Sequence, residues 1–193
     1  MIPFLIDVDS IFNFSGVKGI DVYNDVTTAL GSKYYPAGDL LRSLVGDLNL
    51  SEVKPYDDAL YLEELNYRAR IYLVTNLPKL EVKSLLMRYN LDVFVQDVIS
   101  PDDAKSFMPS REFFTYSARR ANSLPGIMNF TTTRINLAIH AKLHGLKVTV
   151  LREMINLPKD LSINFKPNLI ALSESLVQQR VDSTMGDSAL RCS

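Results

Sequence analysis

The sequence alternates short apolar segments with longer segments of helical periodicity, and this alternation is the feature that most limits its fold. The apolar segments, rich in Ile, Leu and Val, are typical of strands buried on both faces. They lie at 4–8, at 70–76, within 93–100, and at 126–130, 146–151 and 168–172. The segments with helical spacing lie at 78–90, 110–122, 133–145 and 173–179. Strand–helix–strand repetition favours right-handed crossovers. The sequence therefore predicts an α/β three-layer αβα sandwich with a central, mainly parallel sheet.

Residues 14–53 interrupt this alternation directly after the first predicted strand. Two short amphipathic stretches, "DVYNDVTTAL" and "AGDLLRSLVGDL", are joined there by a loop. We expect them to form a small helical cap inserted into the main domain. The last residues, "DSTMGDSALRCS", are small and polar, which is typical of a frayed terminus. We therefore predict one domain at 1–181, interrupted by the cap at about 14–53, and a flexible tail at 182–193.

Charge and hydropathy exclude several classes of partner. With 21 basic and 22 acidic residues the net charge is −1, so we expect no nucleic acid partner. No apolar run approaches the roughly 18 residues that span a bilayer, so we expect no membrane partner. The opening "MIPFLI" is too short for a signal peptide. The single cysteine, Cys192, cannot form an intrachain disulfide. We expect a cytoplasmic protein, and the sequence leaves its oligomeric state open.

Polar side chains follow several of the predicted strands at the point where each strand ends. These positions are Asp7, Asp9, Thr75, Asn76, Asp102, Asp103 and the threonine run 131–133. In open parallel sheets, ligands bind beyond the carboxyl ends of the strands. Because several strand ends contribute polar groups, the sequence predicts a functional site at this edge of the sheet.

Several of these segments resemble the haloacid dehalogenase (HAD) superfamily, most of whose members are phosphohydrolases with a Rossmann-like core. The segment "FLIDVDSI" resembles the first motif of the family, and "RIYLVTN" resembles the second. The stretches "VISPDD", "MPSREFF" and "KPNLIALSESL" also resemble family segments. The resemblance covers about 2–12 and 53–180, and it places a shortened family cap at 14–53. It implies a Rossmann-like fold.

The resemblance also implies a mechanism and a set of site residues. Asp7 would be the nucleophile that forms an aspartyl-phosphate, and Asp9 would be the general acid and base. Thr75 and Asn76 would bind the phosphate group. A lysine would neutralise the charge of the nucleophile and of the phosphate. Mg²⁺ would be the cofactor, held by Asp7, Asp9 and one or two further acids.

The third and fourth motifs depart from the family pattern. Met108 stands at the position of the family lysine, and Lys105, three residues earlier, is the candidate to replace it. Thr133 and Leu137 stand where the family has metal-binding acids. The loss of the lysine and the loss of a ligand acid would each remove several kcal/mol of transition-state stabilisation. Because about 1.4 kcal/mol corresponds to a tenfold change in rate, phosphoryl transfer would slow by several orders of magnitude.

Two functions therefore remain open. In the first, the protein is a catalytically degenerate HAD-like protein that binds a small phosphorylated ligand or a protein partner. In the second, it is an atypical Mg²⁺-dependent phosphatase with an aspartyl-phosphate intermediate on Asp7. The second function requires Asp102 or Asp103 to complete the metal site that Asp7 and Asp9 begin.

Other features allow alternatives that the sequence favours less. Small nucleases of the PIN type also begin with a strand that ends in Asp. His140 and His144 are spaced to bind a metal on one helix face, but surface positions are the simpler interpretation. The run "TTTR" at 131–134 could hold an anion at a helix N-terminus. A capping role for this run is the simpler interpretation.

Overall fold

The structure, a computed structural model, describes residues 1–176. The predicted tail at 182–193 lies outside the described residues, as does the end of the helix predicted at 173–179. Within the described range, no helix combines the length and the apolarity that a membrane span requires.

The centre of the molecule is a six-stranded sheet. Its strands are β1 (Ile2–Asp7), β4 (Ala69–Val74), β5 (Asp97–Ile99), β6 (Asn129–Thr132), β7 (Lys147–Leu151) and β8 (Asn164–Lys166). They lie in the order β5-β4-β1-β6-β7-β8, and all neighbouring strands are parallel. The strand order changes direction at β1, so β1 lies in the middle with β4 and β6 on either side. Ligands of doubly wound sheets bind at such a switch point.

Helices cover both faces of this sheet. They are α1 (Ile20–Leu30), α2 (Ala37–Leu44), α3 (Leu62–Asn66), α4 (Lys79–Arg88), α5 (Pro101–Ala104), α6 (Arg111–Arg120), α7 (Ile135–Leu143) and α8 (169–176). Side chains alternate along β1, so Phe4 and Ile6 pack in the apolar cluster that includes α4. Leu5 packs in the opposite cluster with residues of α6 and α7. The predicted three-layer αβα sandwich is confirmed.

Local signals explain the helices that the sequence predicted correctly. The Ser110 side chain accepts a hydrogen bond from the backbone N–H of Phe113 and caps α6. Gly145 follows the end of α7 with a φ of +89°, the left-handed conformation expected at the C′ position. The two helices of the insert after the first strand are α1 and α2, and both lie within 14–53.

Two predicted strands differ from the observed ones. The segment 168–172 is the start of α8 and not a strand, and the sixth strand is β8. The side chain of Asn168 accepts a hydrogen bond from the N–H of Ala171, which begins a helix there. The fourth strand begins at Asn129 and not at 126, because Pro125 opens a 3₁₀ turn over Pro125–Ile127.

A two-stranded antiparallel ribbon closes the base of the cap. Its strands are β2 (Phe12–Asn13) and β3 (Lys54–Pro55), and Phe12 pairs with Pro55. The ribbon brings the two ends of the insert together next to the carboxyl end of β1. The cap is thereby connected to the sheet beside Asp7.

Candidate functional site

Asp7 is the last residue of β1 and lies at the centre of the carboxyl edge of the sheet. It is paired in register with Val74 of β4, and its neighbour Ile6 is paired with Thr131 of β6. The chain turns immediately afterwards into a 3₁₀ turn, Val8–Ser10, that contains Asp9. The structure thus brings together the strand ends that the sequence predicted to form a site. Asp7 has no solvent-exposed surface.

Both oxygens of the Asp7 carboxylate are contacted by side chains from the end of β6. The hydroxyl of Thr132 donates a hydrogen bond to Asp7 Oδ2 at 2.7 Å. Arg134 Nη2 lies 3.1 Å from Asp7 Oδ2 and 3.4 Å from Oδ1, and Nε lies 3.3 Å from Oδ2. The Thr132 hydroxyl also accepts the backbone N–H of Arg134 at 3.1 Å, which fixes the direction of the chain. Asp7 is therefore held in a buried ion pair.

The same guanidinium reaches the second carboxylate of the first motif. Arg134 Nε lies 3.3 Å from Asp9 Oδ2. The Asp9 side chain is 20% exposed and that of Arg134 is 17% exposed. Burial lowers the pKa of Arg134, but the Asp7 and Asp9 carboxylates outweigh this effect and raise it. The guanidinium therefore stays charged and bridges both acids.

The surroundings of Asp9 shift the pKa of its carboxyl group. Burial raises the pKa of Asp9 from 3.8 to about 6. The Arg134 guanidinium opposes this shift, whereas the charges of Asp7 and Asp21 add to it. Asp9 therefore changes its charge in the range just below neutral pH.

This shift predicts a pH dependence of stability. Folded Asp9 binds its proton more tightly than unfolded Asp9, so its favourable contribution is complete below a pH of about 4 and is lost as the pH rises through about 6. Asp9→Asn removes this titration. We expect the free energy of unfolding of the variant, relative to the wild type, to rise by about 2–3 kcal/mol from pH 4 to pH 7. Urea unfolding at both pH values measures this difference, and a constant difference would contradict the assignment.

Thr75 and Asn76, predicted to bind phosphate, both have buried side chains. The Thr75 hydroxyl accepts the N–H of Leu77 at 2.9 Å. The Asn76 amide donates to the Met108 carbonyl and to the Thr27 hydroxyl, and it accepts the Met108 N–H at 2.8 Å. Asn76 therefore connects the end of β4, the cap and the loop before α6. Phosphate binding by these two residues stays a prediction.

Asp102 and Lys105 contact the cap. Asp102 Oδ1 accepts hydrogen bonds from the Tyr34 hydroxyl at 2.7 Å and from the Ala37 N–H at 3.0 Å. The hydrogen bond from Tyr34 to Asp102 raises the pKa of Tyr34 to about 12. Lys105 Nζ lies 4.7 Å from the centre of the Tyr34 ring, a cation–π contact. The described contacts of Asp102 and Lys105 are thus with the cap, and their predicted metal and phosphate roles stay predictions.

Asp103 caps the helix α5, in which it lies. Its carboxylate accepts the N–H and the hydroxyl of Ser100, both at 3.0 Å, in a capping box. It also forms a salt bridge with Lys79 at 3.1 Å. These contacts account for Asp103 without a metal.

The described side chains do not fit Mg²⁺. Within residues 1–176, no three His, Cys, Asp or Glu side chains lie close enough together to hold a metal ion. Mg²⁺ requires oxygen ligands at about 2.1 Å, and the Arg134 guanidinium contacts the Asp7 and Asp9 oxygens that would supply them. The spaced histidines do not supply a site either, because His144 Nε2 lies 3.2 Å from the Pro109 carbonyl oxygen.

The cap is fastened over this edge of the sheet by buried hydrogen bonds. The Tyr23 hydroxyl of α1 donates to the Asn76 carbonyl at 2.6 Å, and Tyr23 is completely buried. The N–H of Phe107 donates to the carbonyl of Gly31 at 2.7 Å. Together with Asp102, these contacts join both cap helices to the main domain.

Arg134 is the site residue that sequence reasoning missed. The sequence places it in the run "TTTR", which predicts a capping segment or an anion site. The useful signal was its position directly after the strand that neighbours β1, where its side chain can reach Asp7. An unpaired acid at the end of β1 and an arginine at the end of β6 together indicate an ion pair.

Comparisons with known proteins identify the fold. No protein family model and no curated protein matches the sequence. Among solved structures, an L-2-haloacid dehalogenase from Xanthobacter autotrophicus matches with a TM-score of 0.74 and 15% identity, covering 92% of this chain and 99% of that one. The HAD-hydrolase YfnB from Bacillus subtilis, bound to magnesium, matches with a TM-score of 0.65 and 18% identity, covering 91% and 98%. A HAD-superfamily hydrolase from Ehrlichia chaffeensis has a TM-score of 0.63 and 15% identity, covering 91% and 96%. The chain therefore has the HAD-like fold that its motifs predicted.

Proposed function

We propose that this protein is a catalytically degenerate HAD-like protein that acts by binding a small phosphorylated ligand or a protein partner. The observation that carries this proposal is the state of Asp7. Both of its oxygens are engaged by Thr132 and Arg134, and it has no exposed surface.

A nucleophilic carboxylate needs a free lone pair directed at the substrate. On Asp7 those lone pairs accept hydrogen bonds from a hydroxyl and a guanidinium. Releasing one partner of a buried ion pair costs about 3–5 kcal/mol, which corresponds to a rate loss of roughly 10²–10⁴. The contacts around Asp7 therefore favour a stable structural role over turnover.

The closed cap supports the same conclusion. In an active enzyme of this architecture, the cap must move to admit substrate and release product. Here the Tyr23 hydroxyl of α1 donates to the Asn76 carbonyl at 2.6 Å, and Asp102 accepts the N–H of Ala37, the first residue of α2, at 3.0 Å. Such contacts favour a cap that remains docked, and a docked cap offers a fixed surface for a partner.

One observation favours a hydrolase as the second candidate. Asp9 keeps 20% of its side-chain surface exposed, and its pKa of about 6 suits a general acid and base near neutral pH. In this candidate, the Asp7 carboxylate displaces the alcohol of a phosphorylated substrate to form an aspartyl-phosphate, or the halide of a halogenated substrate to form an ester, and water then hydrolyses the intermediate. The phosphatase version would require Mg²⁺. The dehalogenase version is suggested only by the fold of the L-2-haloacid dehalogenases.

Turnover measurements distinguish the two candidates. We expect the wild-type protein and Asp7→Asn to show the same background release of product from an aryl phosphate, with and without Mg²⁺. We expect the same equality for halide release from chloropropionic acid. Asp7→Asn is the matched control, because it preserves the shape of the side chain and removes the nucleophile. Turnover by the wild type that Asp7→Asn abolishes would support the hydrolase instead.

A further inference from the structure

We propose that the Arg134 guanidinium occupies the position of a divalent metal ion between Asp7 and Asp9. Replacing Arg134 with a neutral residue then exposes a divalent cation site on these two carboxylates. This proposal concerns ion binding. Mg²⁺-dependent turnover by the wild type would contradict it, because guanidinium and metal would then have to bind the same two carboxylates.

The first support is the position of the guanidinium. A single planar group lies 3.1 Å from an oxygen of Asp7 and 3.3 Å from an oxygen of Asp9. A divalent cation that binds both carboxylates would have to lie between the same oxygens. Two positive charges separated by a few Å inside a protein repel strongly, so guanidinium and metal exclude each other.

The second support is the local charge. Asp7 is completely buried, and a buried carboxylate requires a compensating cation. Arg134 is the cationic side chain that contacts Asp7 among the described residues. With ionised Asp7 and Asp9, the cluster carries a net charge of −1 with Arg134 and −2 without it. The doubly negative cluster has the charge that attracts a divalent cation.

The third support is the set of donors that remains without the guanidinium. The Asp7 and Asp9 carboxylates remain as oxygen ligands, and Mg²⁺ commonly completes its shell with water molecules. Arg134 Nη1 is buried and has no hydrogen-bond partner among the described residues. A buried donor without a protein partner is usually met by water. Loss of the guanidinium therefore leaves room for the waters that Mg²⁺ retains.

Thermal unfolding with Mg²⁺ as the probe tests this proposal. Wild type and Arg134→Gln are compared in millimolar MgCl₂ and in KCl of matched ionic strength. We expect Mg²⁺ to change the Tm of the wild type by less than about 1 °C and to raise the Tm of Arg134→Gln by about 4 °C or more. The double variant Asp7→Asn with Arg134→Gln should lose this gain, since it lacks the buried carboxylate.

Two further comparisons complete the test. Arg134→Lys keeps a cation, and we expect it to remain as insensitive to Mg²⁺ as the wild type.

If Arg134→Gln is unfolded in KCl, recovery of folded protein only in MgCl₂ supports the proposal, and failure in both salts overturns it. An equal Mg²⁺ response of wild type and Arg134→Gln also overturns it, as does a gain that persists in the double variant. Turnover by the wild type that needs no Mg²⁺ would contradict the proposed function but would leave these outcomes unchanged, whereas Mg²⁺-dependent turnover would contradict both.

Discussion

Replacing Arg134 with Met should lower the free energy of unfolding by about 3–5 kcal/mol, because it leaves the buried Asp7 carboxylate without its cation. Met retains much of the apolar stem of the side chain, so the loss reports the guanidinium more than the packing. The Thr132 hydroxyl alone cannot neutralise the charge of Asp7. Urea unfolding at neutral pH, followed by circular dichroism, measures the change.

The matched control is Arg119→Met, at an exposed position of α6. We expect its free energy of unfolding to stay within about 0.5 kcal/mol of the wild type, as is usual for surface substitutions. A loss below about 1 kcal/mol for Arg134→Met would place the pair among weak surface ion pairs. That result would contradict a structural role for Arg134.

Replacing Asn76 with Ala should lower the free energy of unfolding by about 2–4 kcal/mol. The substitution removes a buried amide and leaves the N–H and the carbonyl of Met108 without their partners. Each unsatisfied buried backbone group costs about 1–3 kcal/mol. The Thr27 hydroxyl loses its contact with the same amide, so the cap should also loosen.

Limited proteolysis together with urea unfolding separates these two effects of Asn76→Ala. We expect faster cleavage within the cap, at 14–53, than in the wild type. Asn156→Ala, in an exposed loop, is the control and should change neither measurement. Unchanged stability and unchanged cleavage for Asn76→Ala would mean that Asn76 does not join cap and main domain. Its predicted role as a phosphate ligand would then gain weight.

The sequence predicted the sheet well because buried strands and amphipathic helices have distinct periodicities. The predicted segments 4–8 and 70–76 overlap β1 and β4. They were recognisable as continuous apolar runs because both faces of these central strands are covered. The segment 168–172 failed because a short apolar run fits a buried strand and a buried helix face equally well. The Asn168 side chain caps the helix locally, and a long-range contact also holds its start, because the N–H of Leu169 donates to Asp58, 111 residues earlier.

The location of the site was predictable, but its charge balance was not. Because the carboxyl ends of parallel strands meet at one edge, the polar ends of β1 and β4 had to lie together. The positive charge opposite Asp7 was expected from Lys105, yet Lys105 lies over Tyr34. Arg134 supplies that charge from 127 residues away in the sequence. The reach of a long side chain depends on tertiary packing, and periodicity does not encode it.

The coupling energy between Asp7 and Arg134 tests most directly whether the guanidinium is the counter-ion of this site. It follows from the unfolding free energies of the wild type, Asp7→Asn, Arg134→Met and the double variant. We predict a coupling of about 2 kcal/mol or more, with the double variant more stable than the sum of the single losses implies. Additive losses, with a coupling within about 0.5 kcal/mol of zero, would show that Asp7 and Arg134 do not depend on each other.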